Sequence, residues 1–125
     1  MYKIVIYENR RGDCDVADFI LKLREKSASD KNSRVNLNKI VAYLDCLKEL
    51  GTRLGEPMVK HLEGEIWELR PLSNRILFSC LEGETIILLH HFVKKTNKTP
   101  RAEIEKARRE LNDYRQRRDE NENMG

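Results

Sequence analysis

Residues 65–100 read EIWELRPLSNRILFSCLEGETIILLHHFVKKTNKTP, and this stretch decides the fold. Turn-forming residues at 71–74 and 82–84 divide it into three runs that are rich in β-branched, aromatic and aliphatic side chains. The unbroken apolar run at 86–89 is typical of a central strand that is covered on both faces. We therefore predict consecutive strand hairpins, with a further short strand at 58–61 as an open alternative.

The residues on either side of this stretch predict helices. The N-terminal residues have the composition of a short strand, and two segments with apolar residues at helical spacing follow it. We predict that Asp13 or Asp15 caps the first helix and that Gly51 ends the second. Thr99 and Pro100 match a hydroxyl cap followed by proline at the first position of a last helix.

The order β-α-α-β-β-β(-β)-α predicts an α+β fold, with a small, mainly antiparallel sheet packed against helices. The length of 125 residues and a hydrophobic content of 39% predict one domain, which we place at residues 1–118. Residues 119–125 contain three acids, no base and almost no apolar side chain, which predicts a disordered acidic tail.

Charge is distributed unevenly along the chain. The formal net charge is only +3, but residues 94–118 contain ten Lys and Arg against four Asp and Glu. A basic segment of this kind favours a polyanionic partner such as RNA.

The cysteines and the N-terminus indicate a cytoplasmic protein. Cys14, Cys46 and Cys80 are odd in number and form no C-x-x-C pair, which predicts free thiols. The apolar run at the N-terminus is too short for a signal peptide, and no segment has the length of a membrane span. We expect no association with a membrane.

Two pairs of cations are candidates for contact with phosphate. Arg70 and Arg75 flank a predicted tight turn, where two guanidinium groups could bind phosphate oxygens, although solvated hairpin arginines are an equal alternative. Lys94 and Lys95 end the apolar strand and Lys98 follows in the loop. These lysines suit an anion site, or they protect an apolar strand from aggregation.

The remaining candidates are less specific. His90 and His91 are consecutive on a strand and point to opposite faces, so only one could transfer a proton in a given cleft, and a structural role is the alternative. Phe92 could stack on a base or belong to the core. Arg101 begins a basic helix that could lie against a nucleic-acid backbone or serve solubility. No histidine or cysteine spacing indicates a metal site.

Several motifs together resemble those of a known family. They are KHLEGEIWELR at 60–70, RILF at 75–78, LHHFVKK at 89–95, Thr99-Pro100 and Glu103-Ile104. In this order and spacing they are similar to RelE/HigB-type toxins of bacterial toxin–antitoxin systems, and more narrowly to the phage-derived, HigB-like branch of the RelE superfamily. The resemblance spans about residues 55–108.

This resemblance implies a RelE-like fold and a ribosome-dependent endoribonuclease that cuts mRNA and inhibits translation. Such toxins use neither a metal ion nor another cofactor, because the 2′-hydroxyl of the RNA attacks the adjacent phosphate. The implied partners are the ribosome with its mRNA and a HigA-like helix-turn-helix antitoxin, which would bind the toxin in a hetero-oligomer.

Carried over residue by residue, the resemblance assigns Arg75 to the scissile phosphate. Expected catalytic residues are Arg75, Arg70, Lys94, Lys95 and, for proton transfer, His90, with Glu68 as a second candidate for that transfer; expected RNA-binding residues are Lys60, Lys98 and Arg101. Some relatives end in a catalytic His-Tyr pair, whereas this chain has His-His-Phe and continues into a helix. Two alternatives from other classes stay open: a non-catalytic nucleic-acid or ribosome-binding module, and a subunit that only binds a protein partner.

Overall fold

The computed structural model describes the backbone of residues 1–124 and side chains through residue 122. In this part of the chain, five strands and three α-helices follow the predicted order with the additional strand present. They are β1 (Lys3–Ile6), α1 (Asp15–Ser27), α2 (Lys31–Leu50), β2 (Val59–Glu63), β3 (Ile66–Leu69), β4 (Asn74–Leu81), β5 (Thr85–Val93) and α3 (Arg101–Met124), with a short 3-10 helix at Gly51–Leu54. The predicted α+β class is confirmed, and the architecture is consistent with a RelE-like fold.

The strands form one mixed sheet in the order β1-β5-β4-β3-β2. Strand β1 pairs with β5 in parallel, and the other three pairings are antiparallel. Strand β5 lies between β1 and β4, and its residues 86–89 are buried on both faces. This position explains the unbroken apolar run, because neither face of a central strand contacts water.

Helices cover both faces of the sheet and create two apolar clusters. One face packs against α1 and α2, and the other packs against α3. The buried members on the first face include Val16, Leu23, Ile40, Leu47, Leu69, Ile76, Phe78 and Leu88. Those on the second face include Tyr7, Ile66, Leu77, Leu81, Ile87, Leu89, Ala107 and Leu111. Polar side chains at the ends of β3, β4 and β5 therefore lie beside the start of α3.

The predicted end of α2 at Gly51 is confirmed. Gly51 has a φ of 58°, and its N–H donates to the carbonyl of Leu47. A Cβ at this position would lie 2.7 Å from the ring of Tyr2, so glycine is required by both backbone conformation and close packing.

The predicted caps of the other two helices are wrong. Cys14 is the N-cap of α1 and makes no capping side-chain hydrogen bond, while the carboxylate of Asp15 instead binds His90. The hydroxyl of Thr99 donates to Glu68 and, among the described residues, accepts no hydrogen bond from an amide of α3. In both cases a tertiary partner takes the side chain that the local pattern assigned to a cap.

The structure also differs from the predicted disordered tail at 119–125. Helix α3 continues to Met124, and Gly125 lies outside the described residues. Glu120 lies 3.4 Å from Arg10, so part of this acidic segment has a charged partner that its composition does not reveal. The three cysteines are free thiols, as predicted. No helix within the described residues is long and apolar enough to cross a membrane.

Candidate active site

A cleft of about 220 Å³ is lined by strand β2, by the ends of β3, β4 and β5, and by the loop that leads into α3. Its apolar lining includes Leu62, Phe92 and Ile104. The charged side chains of its lining are Lys60, Glu68, Arg70, Arg75, Lys94 and Lys98, and His61 is also among the lining residues. Five cations therefore meet one carboxylate in a single concave site, which suits an anionic ligand.

Arg75 is the most firmly held of these cations. It is only 6% exposed, and its Nη1 donates to the carbonyls of Leu72 and Asn74, each at 2.8 Å. Burial lowers the pKa of the guanidinium from its ordinary value. An arginine nevertheless keeps its charge in proteins, so Arg75 presents a fixed positive group to the cleft.

Glu68 links the two arginines. It is 1% exposed, and its Oε1 lies 3.4 Å from Nε of Arg70 and 3.8 Å from Nε of Arg75. Its Oε2 accepts a hydrogen bond of 2.6 Å from the hydroxyl of Thr99. A buried carboxylate needs such partners, so Glu68 holds both guanidinium groups and the start of α3 in one arrangement.

The lysines of the cleft differ from the cations of α3. Among the described residues, Lys60, Lys94 and Lys98 form no ion pair. The cations along α3 are largely neutralised by carboxylates. The pairs are Arg101 with Glu63 and Glu105, Lys106 with Asp15, Arg108 with Glu63, Arg115 with Glu65, and Arg117 with Asp113. Among the described residues, the three cleft lysines are therefore uncompensated, whereas of the α3 cations only Arg109 and Arg118 form no ion pair.

The cleft brings together five of the eight residues that the sequence proposed. These are Arg75, Arg70, Lys94, Lys60 and Lys98. Lys95, which follows the end of β5, lies in a separate hollow with His91, Val93 and Glu103. The guanidinium of Arg101 binds Glu63 and Glu105, which does not fit the predicted contact with RNA.

The structure argues against proton transfer by His90. Its ring is buried and lies outside the cleft, and both ring nitrogens face carboxylates, of Asp15 and Glu103. The rings of the other two histidines also contact partners within the protein. His91 stacks on Phe19 at 3.5 Å, and burial lowers its pKa to about 4. His61 packs against Trp67, and its Nε2 donates to the carbonyl of Gly64.

The sequence indicated Glu68 only as a second candidate for proton transfer and Thr99 only as a helix cap, whereas in the structure both residues organise the cleft. Period-two alternation assigned Glu68 to a polar face, but α3 covers that face of the sheet. One sequence signal was available: a carboxylate two positions from Arg70 on the same strand face is an expected ion-pair partner. No local pattern predicts the contact with Thr99, which is 31 residues away.

Comparison with known proteins places the chain in a family. The sequence model described as "Phage derived protein Gp49-like" matches residues 22–112, which are 91 of the 125 residues. The match includes every residue that lines the cleft. No curated protein matches the chain. The matched family is associated with the toxins of toxin–antitoxin systems. The chain therefore belongs to the phage-derived Gp49-like family.

Proposed function

We propose that this protein is the toxin of a toxin–antitoxin pair and acts as a ribosome-dependent mRNA endoribonuclease. The observation that carries the proposal is the cleft in which buried Arg75 stands beside Arg70 and three unpaired lysines. Membership of the Gp49-like family supports a toxin-like role.

The proposed reaction needs no metal ion. The 2′-hydroxyl of a nucleotide attacks the adjacent phosphate, and the bond to the 5′ oxygen of the next nucleotide breaks. The products are a cyclic phosphate and a free 5′-hydroxyl. Negative charge increases on the phosphorane during this step, and fixed guanidinium groups stabilise it because they require no reorganisation. We assign this role to Arg75 and Arg70.

Proton transfer falls to the lysines of the cleft in this mechanism. His90 and His91 do not line the cleft, and the ring of His61, which does, donates its Nε2 hydrogen to the carbonyl of Gly64, whereas Lys60 and Lys94 line the cleft without a carboxylate partner among the described residues. An ammonium group there neutralises the phosphate and donates a proton to the departing 5′ oxygen, while the attacking 2′-hydroxyl gives up its own proton to water. Lys98 extends the cationic surface along the RNA backbone.

The proposed partners are the ribosome with its mRNA and a helix-turn-helix antitoxin that forms a hetero-oligomer with the toxin. Expression of the chain alone should stop growth, and co-expression of a small helix-turn-helix protein from the neighbouring open reading frame should restore it. Growth arrest that such a neighbour fails to relieve would contradict the assigned partner.

The test of the enzyme assignment is Arg75→Ala. Translating ribosomes are incubated with the purified protein, and the cleaved mRNA ends are mapped and analysed for a cyclic phosphate. We expect the variant to cleave at least about a hundredfold more slowly, because a preorganised donor to the developing charge is lost. Arg75→Lys keeps a charge but cannot reproduce the two carbonyl contacts, so it should recover only part of the rate.

Arg118→Ala is the matched control, because Arg118 is an exposed arginine that lies over the ring of Tyr114 away from the cleft. It should cleave at the wild-type rate. Circular dichroism checks that each variant is folded. Undiminished cleavage by folded Arg75→Ala would remove the central residue of the proposal. RNA binding without any product would instead favour a non-catalytic binding module.

A further inference from the structure

His90 takes no part in the cleft, yet it joins three elements of the fold. It lies on β5 and is 6% exposed. Its Nδ1 is 2.6 Å from Oδ2 of Asp15, the first residue of α1, and its Nε2 is 2.8 Å from Oε2 of Glu103 in the first turn of α3. Lys106, also on α3, reaches the same oxygen of Asp15 at 3.2 Å.

This geometry defines the charge of the ring. An ionised carboxylate only accepts hydrogen bonds, so each ring nitrogen must carry a proton to satisfy its neighbour. A neutral imidazole has one N–H, so its other ring nitrogen would face a carboxylate oxygen at short distance with no proton between the two atoms. The imidazole of His90 is therefore held as an imidazolium by two carboxylates from different helices.

Two short paths connect this ion triad to the cleft. Glu103 lies in the first turn of α3, where the carbonyl of Pro100 accepts hydrogen bonds from the amides of Glu103 and Ile104. Thr99, which precedes that turn, binds Glu68 and through it the two arginines. In addition, the ring of His90 stacks on Phe92 at 5.9 Å, and Phe92 forms part of the cleft wall.

We propose that His90 is a positioning residue of the cleft, whose charged ring fastens the start of α3 and thereby holds Thr99, Glu68 and Arg75 in their binding arrangement. Loss of the ring proton would release the start of α3 and weaken binding of RNA. The inference rests on the proposed function for its ligand, but the fastening itself is independent of it.

The charged groups around the ring act in both directions, since Asp15 and Glu103 raise the pKa of His90 and Lys106 lowers it. They are Asp15 of α1, Glu103, Lys106 and Glu110 of α3, and the neighbouring His91 of β5. Burial lowers the pKa of His90, but the hydrogen bonds to Asp15 and Glu103 outweigh it, and the net shift is upward. The fastened state is therefore complete below about pH 6.5, the ordinary value for histidine, and is lost as the pH rises through the higher pKa of the folded protein.

The direct test is nuclear magnetic resonance of the ¹⁵N-labelled protein without RNA. The expected spectrum shows two protonated ring nitrogens for His90 near neutral pH and loss of one proton only above the ordinary range of histidine. The protection factors of the amides of residues 96–105, which correct for the intrinsic rise of exchange with pH, should fall in the same pH interval. A ring with a single N–H at pH 6 would overturn the proposal.

His90→Gln separates positioning from general stability. We expect the protection factors of residues 96–105 to become about tenfold lower and to lose their dependence on pH, because one charged hydrogen bond of the pair is absent. Glu120→Gln is the control, because it removes an exposed carboxylate at the opposite end of α3, where Glu120 pairs with Arg10. Glu120→Gln should leave the protection of the amides of residues 96–105 at the wild-type value. If His90→Gln does not fold, Glu103→Gln tests the same contact.

Affinity for a short single-stranded RNA is measured on the same samples between pH 6 and 9. Wild-type affinity should fall by about tenfold above the pKa of His90, whereas the affinity of His90→Gln should be low and independent of pH. Unchanged affinity and exchange in the variant would refute the positioning role. If no sample binds RNA but the exchange result is as expected, the proposed ligand is rejected. The role of His90 in holding the start of α3 would then still stand.

Discussion

Glu68 shows how a single buried side chain organises a cationic site. Two guanidinium groups at close range would repel each other, and a carboxylate between them compensates both charges. Since Glu68 is enclosed and also bound by Thr99, its position depends on β3, β4 and α3 together. The arginines are thus oriented before any ligand arrives, which reduces the entropy that binding must overcome.

Glu68→Gln should weaken both the fold and the cleft. The amide has nearly the same shape and still accepts a hydrogen bond from Thr99, but it no longer balances Arg70 and Arg75. We expect a loss of about 2–3 kcal/mol in the free energy of unfolding, since one partner of a buried ion cluster is removed, together with slower RNA cleavage. Urea denaturation followed by circular dichroism measures the first effect.

Glu105→Gln is the comparison for this change. Glu105 also pairs with an arginine, Arg101, but both side chains are exposed to solvent. Surface pairs of this kind contribute little, so the urea midpoint should stay at the wild-type value. Equal midpoints for the Glu68 and Glu105 variants would show that the buried carboxylate has no special role.

Gly51 gives a test of helix termination in α2. Both Gly51 and Gly83 have positive φ, at 58° and 74°, so alanine strains the backbone at either position. Only Gly51 also faces a close neighbour, the ring of Tyr2. We expect Gly83→Ala to lower the free energy of unfolding by about 1 kcal/mol. Gly51→Ala should lower it by at least about 2 kcal/mol more, because the ring of Tyr2 must move. Thermal unfolding of the two variants measures the difference.

The attachment of α3 should make stability depend on pH. Glu110 of α3 has a pKa raised to about 7 by burial and by the charge of Asp15, and the pKa of His90 is also raised. Groups with a raised folded-state pKa stabilise the protein at low pH and lose that contribution as the pH rises through this pKa. His91 acts in the opposite direction between about pH 4 and 6.5, since burial keeps it neutral.

We therefore expect the free energy of unfolding to change little between about pH 5 and 6.5, where Glu110 and His91 oppose each other, and to decrease above pH 6.5. Urea titrations at intervals of half a pH unit measure this profile. Glu110→Gln, which has no charge to bury, should be more stable than the wild type at pH 8 and similar to it at pH 5. A wild-type profile that rises between pH 6.5 and 8.5 would contradict the assigned shifts.

Across the whole molecule, the location of unpaired charge matters more than the net charge of +3. The cations of α3 are held by carboxylates from β2, from the turn after it and from α3 itself, whereas those of the cleft share Glu68 alone. Binding of RNA should release counterions mainly from the cleft.

Lys60→Ala, Lys94→Ala and Lys98→Ala should each reduce affinity for single-stranded RNA and lower the slope of log K against log salt by about 0.7. Arg115→Ala is the matched control on α3, because Arg115 is paired with Glu65. Its salt slope should equal that of the wild type. Fluorescence anisotropy at several salt concentrations measures these slopes. A larger change of slope in Arg115→Ala than in the lysine variants would indicate that RNA binds α3 and not the cleft.

Much of the fold was predictable from the sequence because it depends on local signals. Period-two and helical patterns, the turn before Arg75 and the glycine after α2 specify conformation within a few residues. The predictions failed where a side chain had a choice of partners. Asp15 and Thr99 have the chemistry of caps, but each binds a group more than 30 residues away.

For the candidate site, the sequence by itself determined the residue types, because arginines and lysines near strand ends are recognised without coordinates and suit an anionic ligand. Only the tertiary structure decided which cations act together. Lys95 lies in a different hollow from Lys94, carboxylates neutralise Arg101, and two acidic side chains from different helices enclose His90. Charge pairing and burial are properties of neighbours in space, and the order of residues in a chain does not specify them.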